Sequence, residues 1–529
     1  MPAALILALT IGLHGTSAPT NADDLLTVAE SSDFTRTASH AQVMELIERI
    51  GAQSTIMRRT ELGTTVEGKP IPLVILANPP IENAQQAKDS GKLIFFAFGN
   101  IHAGEVCGKE ALLILCREIA TNPDHPLLKD LIIVFAPIYN ADGNDRFGPV
   151  EENRRGQVGP VEVGVRPNAM DLDLNRDYIK LESPEAQAMV RFATAWDPHV
   201  VMDLHTTNGS VHRHTLTYEI PLHPAAMPGP VEYARNQIIP AVTQRVLETT
   251  GYSMTYYGNF TRGAPPSAWA TYEGKPRFGG HYHGLRGTIA LLSEAYSYAT
   301  FKDRVLCTKA FVEESMNFAA AHAAEIMAMH EATRAAVIEA GRNPQPTDMI
   351  CLREQIAALP GPISIQGFEM QPGERGRPRA TDVEQDYSLI HLGRYESALS
   401  VVRPYAYVVP PLAGMETIIE KLRQHGIAVE PLEGRATCEV YTITNIQRAE
   451  RPFQGHQIVL ADASAKVEPR AFPAGSHIAY TAQPLGTLLV YLLEPQSSDG
   501  LTAWNFFDAS LEVGAEFPVV RVRHAIDLN

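Results

Sequence analysis

The sequence predicts an α/β fold, a mixed sheet flanked by helices, followed by a C-terminal region that is mostly β. Two patterns predict it. Up to about residue 297, apolar runs of strand length alternate with helical stretches, as in a mixed or parallel sheet with helices on its faces. From Met349 the texture changes to short alternating runs between Pro and Gly turns, such as Glu439-Val-Tyr-Thr-Ile-Thr and Thr487-Leu-Leu-Val-Tyr-Leu-Leu.

At 529 residues the chain is too long for one ordinary core. Hydrophobic residues at 45% and charged residues at 20% describe a globular protein and exclude general disorder. The net charge of −16 favours solubility and argues against a nucleic-acid partner. Ala3 to Leu13 is apolar, too short to span a bilayer, and followed by small and polar residues. That is a secretory signal pattern over residues 1–22, with cleavage after Ala22 and Thr20 at the −3 position. It departs from the pattern in having no Lys or Arg before Arg36. The expectation is an exported protein, periplasmic or secreted, with no integral membrane segment.

Ser39 to Ile50 reads as an opening helix, and Met57 to Asn78 as a hairpin turning at Glu67-Gly-Lys-Pro. Lys92-Leu-Ile-Phe-Phe-Ala-Phe is a buried strand and Val106 to Ala120 a helix. Leu131-Ile-Ile-Val-Phe-Ala is a strand that runs into the tight turn Asn140-Ala-Asp-Gly. Arg304 to Ala340, rich in Ala, Met and Glu, reads as one long closing helix, and Gly341-Arg-Asn-Pro-Gln-Pro-Thr as a linker. The expected division is 23–340 α/β, 341–348 linker and 349–529 mostly β, with Met415 to Gly426 helical. Trp504-Asn-Phe-Phe-Asp reads as core in preference to a stacking surface. Five cysteines do not make a disulfide scaffold. Cys107 and Cys116 on one helix stand about 13 Å apart at ~1.5 Å per residue, too far to bridge.

The chemistry is concentrated where apolar runs stop. His102 and Glu105 follow the strand ending at Phe98, and His205 ends Val200-Val-Met-Asp-Leu. Carboxyl ends of strands are where open α/β sheets place ligands. Two imidazoles and a carboxylate hold three corners of a zinc ion and leave the fourth for water, the open geometry of a catalytic site. Asp203, two residues before His205, should share its strand face and support it. The pairs His212/His214 and His281/His283 compete for the second histidine role; read as strand residues, each pair shares a face, but solvated or rim positions suit them better. Glu294 ends a third apolar run, Gly287 to Ser293, and is the candidate general base.

In this order, with Asn175-Arg176 between them, these elements resemble the zinc carboxypeptidase (metallocarboxypeptidase, carboxypeptidase A-like) family over roughly Ser54 to Ala340. The resemblance implies a zinc carboxypeptidase-like α/β/α domain with one Zn2+ per chain on His102, Glu105 and His205. It also implies a zinc-bound water activated by Glu294, and hydrolysis of an amide bond next to a free C-terminal carboxylate. Asn175 and Arg176 match the family's clamp for that carboxylate: a guanidinium fork grips it through paired charge-assisted bonds and an amide adds a donor. Arg155, with Arg154 in reserve, stands at roughly the family's distance for the oxyanion donor. Tyr272, or alternatively Tyr282, would complete the site. Position 104 is Gly where digestive-type members carry Arg, which leaves the substrate pocket open, and side-chain preference is unreadable in Tyr256 to Arg286. The expected substrate is a peptide or an acylated amino acid. Rival readings are an amidase, deacylase or cell-wall peptide hydrolase of the same metal architecture, and a metal-free binding protein on this fold.

Overall fold

A computed structural model describes residues 25–373 and 378–524. The signal-peptide expectation, residues 1–22, lies outside them. The opening helix is His40–Ala52, closed at its start by Ser39, whose side chain accepts from the Gln42 N–H. Eight strands then build the main sheet: β1 (Met57–Thr64), β2 (Pro70–Leu76), β3 (Leu93–Gly99), β4 (Leu131–Ala136), β5 (Val200–Thr207), β6 (Leu216–Glu219), β7 (Met254–Tyr256) and β8 (Ile289–Tyr296). Their order is β1-β2-β4-β3-β5-β8-β6-β7. The central four, β4, β3, β5 and β8, run parallel. The flanking pairs β1–β2, β2–β4 and β8–β6 are antiparallel.

This order sets the site. The chain leaves β3 for β4 on one side, then returns to β5 on the other, so β3 and β5 flank the point where the winding reverses. Ligands bind at the carboxyl ends of strands at such a switch point. The strands alternate across two cores. Phe95, Ala97, Val200, Met202 and Leu204 face one, while Ile94, Phe96, Phe98 and Val201 face the other. Period-two alternation therefore puts Asp203 and His205 on the Val201 face, as expected. Glu294 pairs in register with His205 on the neighbouring strand. Helix Cys107–Ala120 crosses β5 so closely that a Cβ on Gly108 would lie 2.5 Å from Leu204 Cβ. All five cysteines are free and buried.

Three elements differ from expectation. The closing helix is two, Phe301–Ala321 and Ala323–Arg342, broken at His322. The run at Thr487 forms helix Gly486–Leu493, with every residue buried; a continuous apolar run suits a buried helix as well as a strand. The linker begins later than expected, because Gly341 is still helical and buried. A Cβ there would lie 2.3 Å from the Ala482 nitrogen.

Met415–Gln424 is helical, as read. The C-terminal region is mostly β, with a closed barrel of strands Ala406–Val409, Glu430–Arg448, Val459–Tyr480 and Val520–Val522. It is not separate from the first region. Strand Ala268–Ala270 pairs in parallel with Pro378–Leu392. One hydrophobic cluster runs from Phe96 and Val201 through Ile350, Tyr407 and Leu488 to Trp504, so Trp504 is core. No described helix is long and apolar enough to cross a membrane.

Because that core is shared, a chain ended at Arg342 should lose cooperative unfolding and bind hydrophobic dyes, having bared the apolar surface that the second region covers. A truncated protein that melts cooperatively near the full-length midpoint would show two independent units.

Candidate functional site

After β3 the chain turns sharply at Asn100, whose φ of 66° is tolerated by a short amide side chain. The Asn100 amide donates to the Ala103 carbonyl at 3.2 Å, and the turn brings His102 and Glu105 to face the end of β5. There the side chains of His102, Glu105 and His205, all buried, form a group able to hold a metal ion. His102 Nδ1 lies 3.1 Å from Glu105 Oε1 and 3.1 Å from His205 Nδ1, and His205 Nδ1 lies 3.0 Å from Glu105 Oε2. Tetrahedral ligands at about 2.0–2.1 Å from zinc would stand about 3.3 Å apart. The three residues fit the ion.

The far side of each ring explains its orientation. His102 Nε2 lies 2.9 Å from Asp173 Oδ1. His205 Nε2 lies 2.9 Å from Asp203 Oδ1, off the axis a hydrogen bond prefers, and 3.4 Å from the Asn175 amide nitrogen. With a carboxylate facing each Nε2, both Nδ1 atoms meet one another and the Glu105 carboxylate, a point that protons or a metal cation can fill. Burial alone would raise the Glu105 carboxyl, but His102, Arg154 and the hydrogen bonds from both imidazoles hold it well below the usual carboxylate range. Burial opposes charge on His205, and Asp203 and Glu105 outweigh it, so positive charge on that ring is strongly favoured.

The cluster opens into a cleft of about 580 Å³ lined by His102, Glu105, Arg154, Arg166, Asn175, Arg176, Tyr257, Tyr272, Phe278, Glu294, Tyr395 and Phe453, among others. Glu294, Asn175, Arg176 and Tyr272 thus reach the same cleft as the ligands. Burial, aided by Glu105 and opposed by His205, Arg154 and Arg166, pushes the Glu294 carboxyl up to about 8. Asn175 Oδ1 accepts from the Gly279 N–H at 2.8 Å. The Arg176 guanidinium lies 4.0 Å above the Phe278 ring and donates to the Asn175 carbonyl at 2.8 Å.

Two expectations need correction. Arg155 is exposed and outside the cleft; its neighbour Arg154 turns inward, donating to Glu105 Oε1 at 2.9 Å and to the Thr206 carbonyl at 2.7 Å. Helix Val150–Asn153 ends just before them, and successive side chains past a helix end diverge. Tyr282 is fully buried, its hydroxyl 2.7 Å from His425 Nδ1, away from the site. Neither competing histidine pair joins the metal-ligand group. His281 and His283 lie on helix Gly279–Leu285 and not on a strand. His212 stacks on Tyr296, and His214 Nδ1 meets the Ser253 hydroxyl.

Sequence reasoning missed Arg166 and the role of Asp173. Arg166 donates to Asp173 Oδ2 through Nε and Nη2 at 3.0 and 2.9 Å, and to Glu105 Oε1 at 3.3 Å. The spacing Asp-x-Asn-Arg around residue 173 was the available signal, since the same turn places Asp173 under His102 and Arg176 in the cleft. Gly104 also acquires a reason. A Cβ there would lie 2.5 Å from Arg154 Cγ, so glycine leaves the space that Arg154 fills.

Residues 43–217 match the family model described as zinc carboxypeptidase. That stretch of the chain belongs to the zinc carboxypeptidase family. The match contains His102, Glu105, Asp173, Asn175, Arg176 and His205 and ends before Tyr272 and Glu294. Carboxypeptidase 2 of Trichophyton equinum is 22% identical over 480 residues, which cover 86% of this chain and 81% of its own. Carboxypeptidase Z of Mus musculus is 30% identical over 152 residues, 27% of this chain and 22% of its own. Among solved structures, a metallo-carboxypeptidase from Pseudomonas aeruginosa aligns with a TM-score of 0.39 at 17% identity, over 55% of this chain and 70% of its own. The zinc carboxypeptidase domain makes this chain a metallopeptidase of the carboxypeptidase type.

If Gly104 exists to admit Arg154, Gly104→Ala should cost about 1–3 kcal/mol, the usual range for overpacking. Thermal unfolding should show the loss in the wild-type background and a smaller one in an Arg154→Ala background, as coupled neighbours behave. Equal losses in both backgrounds would separate the two residues.

Proposed function

We propose that the protein is a zinc-dependent metallocarboxypeptidase-like hydrolase that cleaves an amide bond next to a free C-terminal carboxylate. The observation that carries this reading is a single cleft holding the three metal-ligand side chains, the Glu294 carboxylate and the Asn175-Arg176 pair. His102, Glu105 and His205 would hold one zinc per chain. When bound, zinc acidifies water and polarises a carbonyl oxygen.

The chain's own groups do the rest. Glu294, beside His205 in register, takes a proton from the attacking water and returns it to the departing amine. Burial, with Glu105 nearby, raises this carboxyl to about 8, and a dication beside it would favour the ionised form that a base requires. Arg154 and Arg166 stand where negative charge gathers as the carbonyl is attacked, and donors fixed in place need no reorganisation. Arg176, stacked on Phe278, meets the substrate carboxylate with Asn175 beside it. Tyr272, whose hydroxyl is kept protonated by burial together with Glu219 and Glu294, is available to donate a hydrogen bond. The apolar run Ala3 to Leu13 supports export.

Glu294→Gln should keep metal and fold while losing about 10²–10⁴-fold in turnover, the usual worth of general acid–base assistance. Turnover like that of the wild type, in protein with full metal content, removes Glu294 from the mechanism.

The clamp is tested with Arg176→Ala on matched substrates ending in a free acid or an amide. Free-acid substrates should lose roughly one to two orders of magnitude in kcat/KM, the value of about 1.5–3 kcal/mol for a hydrogen bond to a charged group. Amides should change little. Equal losses on both would move the amidase reading ahead.

A further inference from the structure

We propose that the turn Phe453–His456, contributed by the C-terminal region, is part of the active site. In this assignment Phe453 is a substrate-contacting wall, and Gln454 is a positioning residue that acts through Asp173. The proposal rests on the metal site described above and concerns what holds it.

The turn is tight. Phe453 and His456 exchange both backbone hydrogen bonds, at 2.7 and 3.0 Å. The two residues between them, Gln454 and Gly455, have φ of 51° and 79°. Turns of this form prefer Asn or Gly at the first of these positions, where a left-handed backbone comes easily. Gln454 is a poor choice for the backbone alone. Its side chain supplies the reason: Oε1 accepts from the Asp173 N–H at 2.7 Å, across 281 residues of sequence. A strained position of this kind points to a role that the side chain serves.

Asp173 is the hub of the site's support. Its Oδ1 faces His102 Nε2 and accepts from the Asn175 N–H at 3.0 Å, and its Oδ2 takes two bonds from Arg166. Gln454 therefore fixes the backbone of the residue that orients one metal ligand, one cleft arginine and the start of the clamp. The turn is itself pinned. His456 Nε2 lies 2.7 Å from Glu182 Oε1, and Nδ1 lies 3.2 Å from Asn505 Oδ1. Phe453 stands beside the Arg277 guanidinium, which Asp499 holds; it lines the cleft and is 37% exposed. Tyr395, also from the C-terminal region, lines the same cleft with Tyr257, Tyr272 and Phe278, and its hydroxyl donates to the Tyr272 carbonyl at 2.8 Å. An exposed ring held rigidly among rings suits an apolar or aromatic substrate side chain.

The test uses the full chain loaded with zinc. Gln454→Gly relieves the backbone and removes only the acceptor, so its thermal midpoint should be unchanged or higher. Zinc transfer to a chelator should be roughly three- to tenfold faster, less than the 10–100-fold typical of losing a group bonded directly to a ligand. Gln454→Asn, which tolerates the turn but is one methylene shorter, should behave similarly. Phe453→Ala should raise KM for a substrate with an aromatic side chain at the cleaved bond more than for one with a small side chain, and leave zinc retention as it was. Zinc release and kcat like those of the wild type in both Gln454 variants would overturn the positioning role. An unchanged KM in Phe453→Ala would overturn the wall. The zinc arm is independent of the reaction, so a protein that retains zinc but releases no C-terminal residue would refute the proposed activity and still decide the role of Gln454.

Discussion

Two imidazole nitrogens and a carboxylate, buried and about 3 Å apart at the switch point of a parallel sheet, are the constraint on which the rest of the site depends. Such groups are costly to bury unless neighbouring charges and hydrogen bonds offset the loss of water. The surroundings supply both. Asp173 and Asp203 stand behind the rings, Arg154 and Arg166 beside Glu105, and the Thr206 N–H donates to the other Glu105 oxygen at 3.0 Å. These partners come from strand β5 and from loops well separated in sequence, which the strand order gathers at the carboxyl ends of the central strands.

The parts written into local sequence were legible. Apolar runs that stop at His102, Glu105, His205 and Glu294 marked strand ends, and alternation along β5 put Asp203 on the His205 face. The parts decided by tertiary reach were not. Arg154 and Arg155 are adjacent, and only the path of the chain after a short helix decides which one points inward. Tyr272 and Tyr282 are distinguished by packing: one lines the cleft and the other is sealed against His425. The break at His322 carries no Pro or Gly to announce it, and the helix at Gly486–Leu493 is apolar on all sides because the shared core surrounds it.

The largest gap lay in the relation between the two regions. A change from α/β texture to short β runs reads as a domain boundary, and the architecture does change there. Hydrophobic contact does not stop, however: the core continues from the sheet face beneath His205 to Trp504. The second region also supplies Tyr395 and Phe453 to the cleft and a hydrogen bond to Asp173. No local pattern records a bond between residues so distant in sequence. Gly104 fits the same account, because the space left by a missing side chain is filled by an arginine from another loop.

The central claim is that His102, Glu105 and His205 hold one zinc ion. Metal analysis of the purified, dialysed protein, with X-ray absorption at the zinc edge, tests it most directly. The account predicts one zinc per chain with nitrogen and oxygen neighbours at about 2.0–2.2 Å, and its loss in His205→Ala. Protein without zinc, sulfur in the coordination shell, or full zinc content in His205→Ala would contradict it.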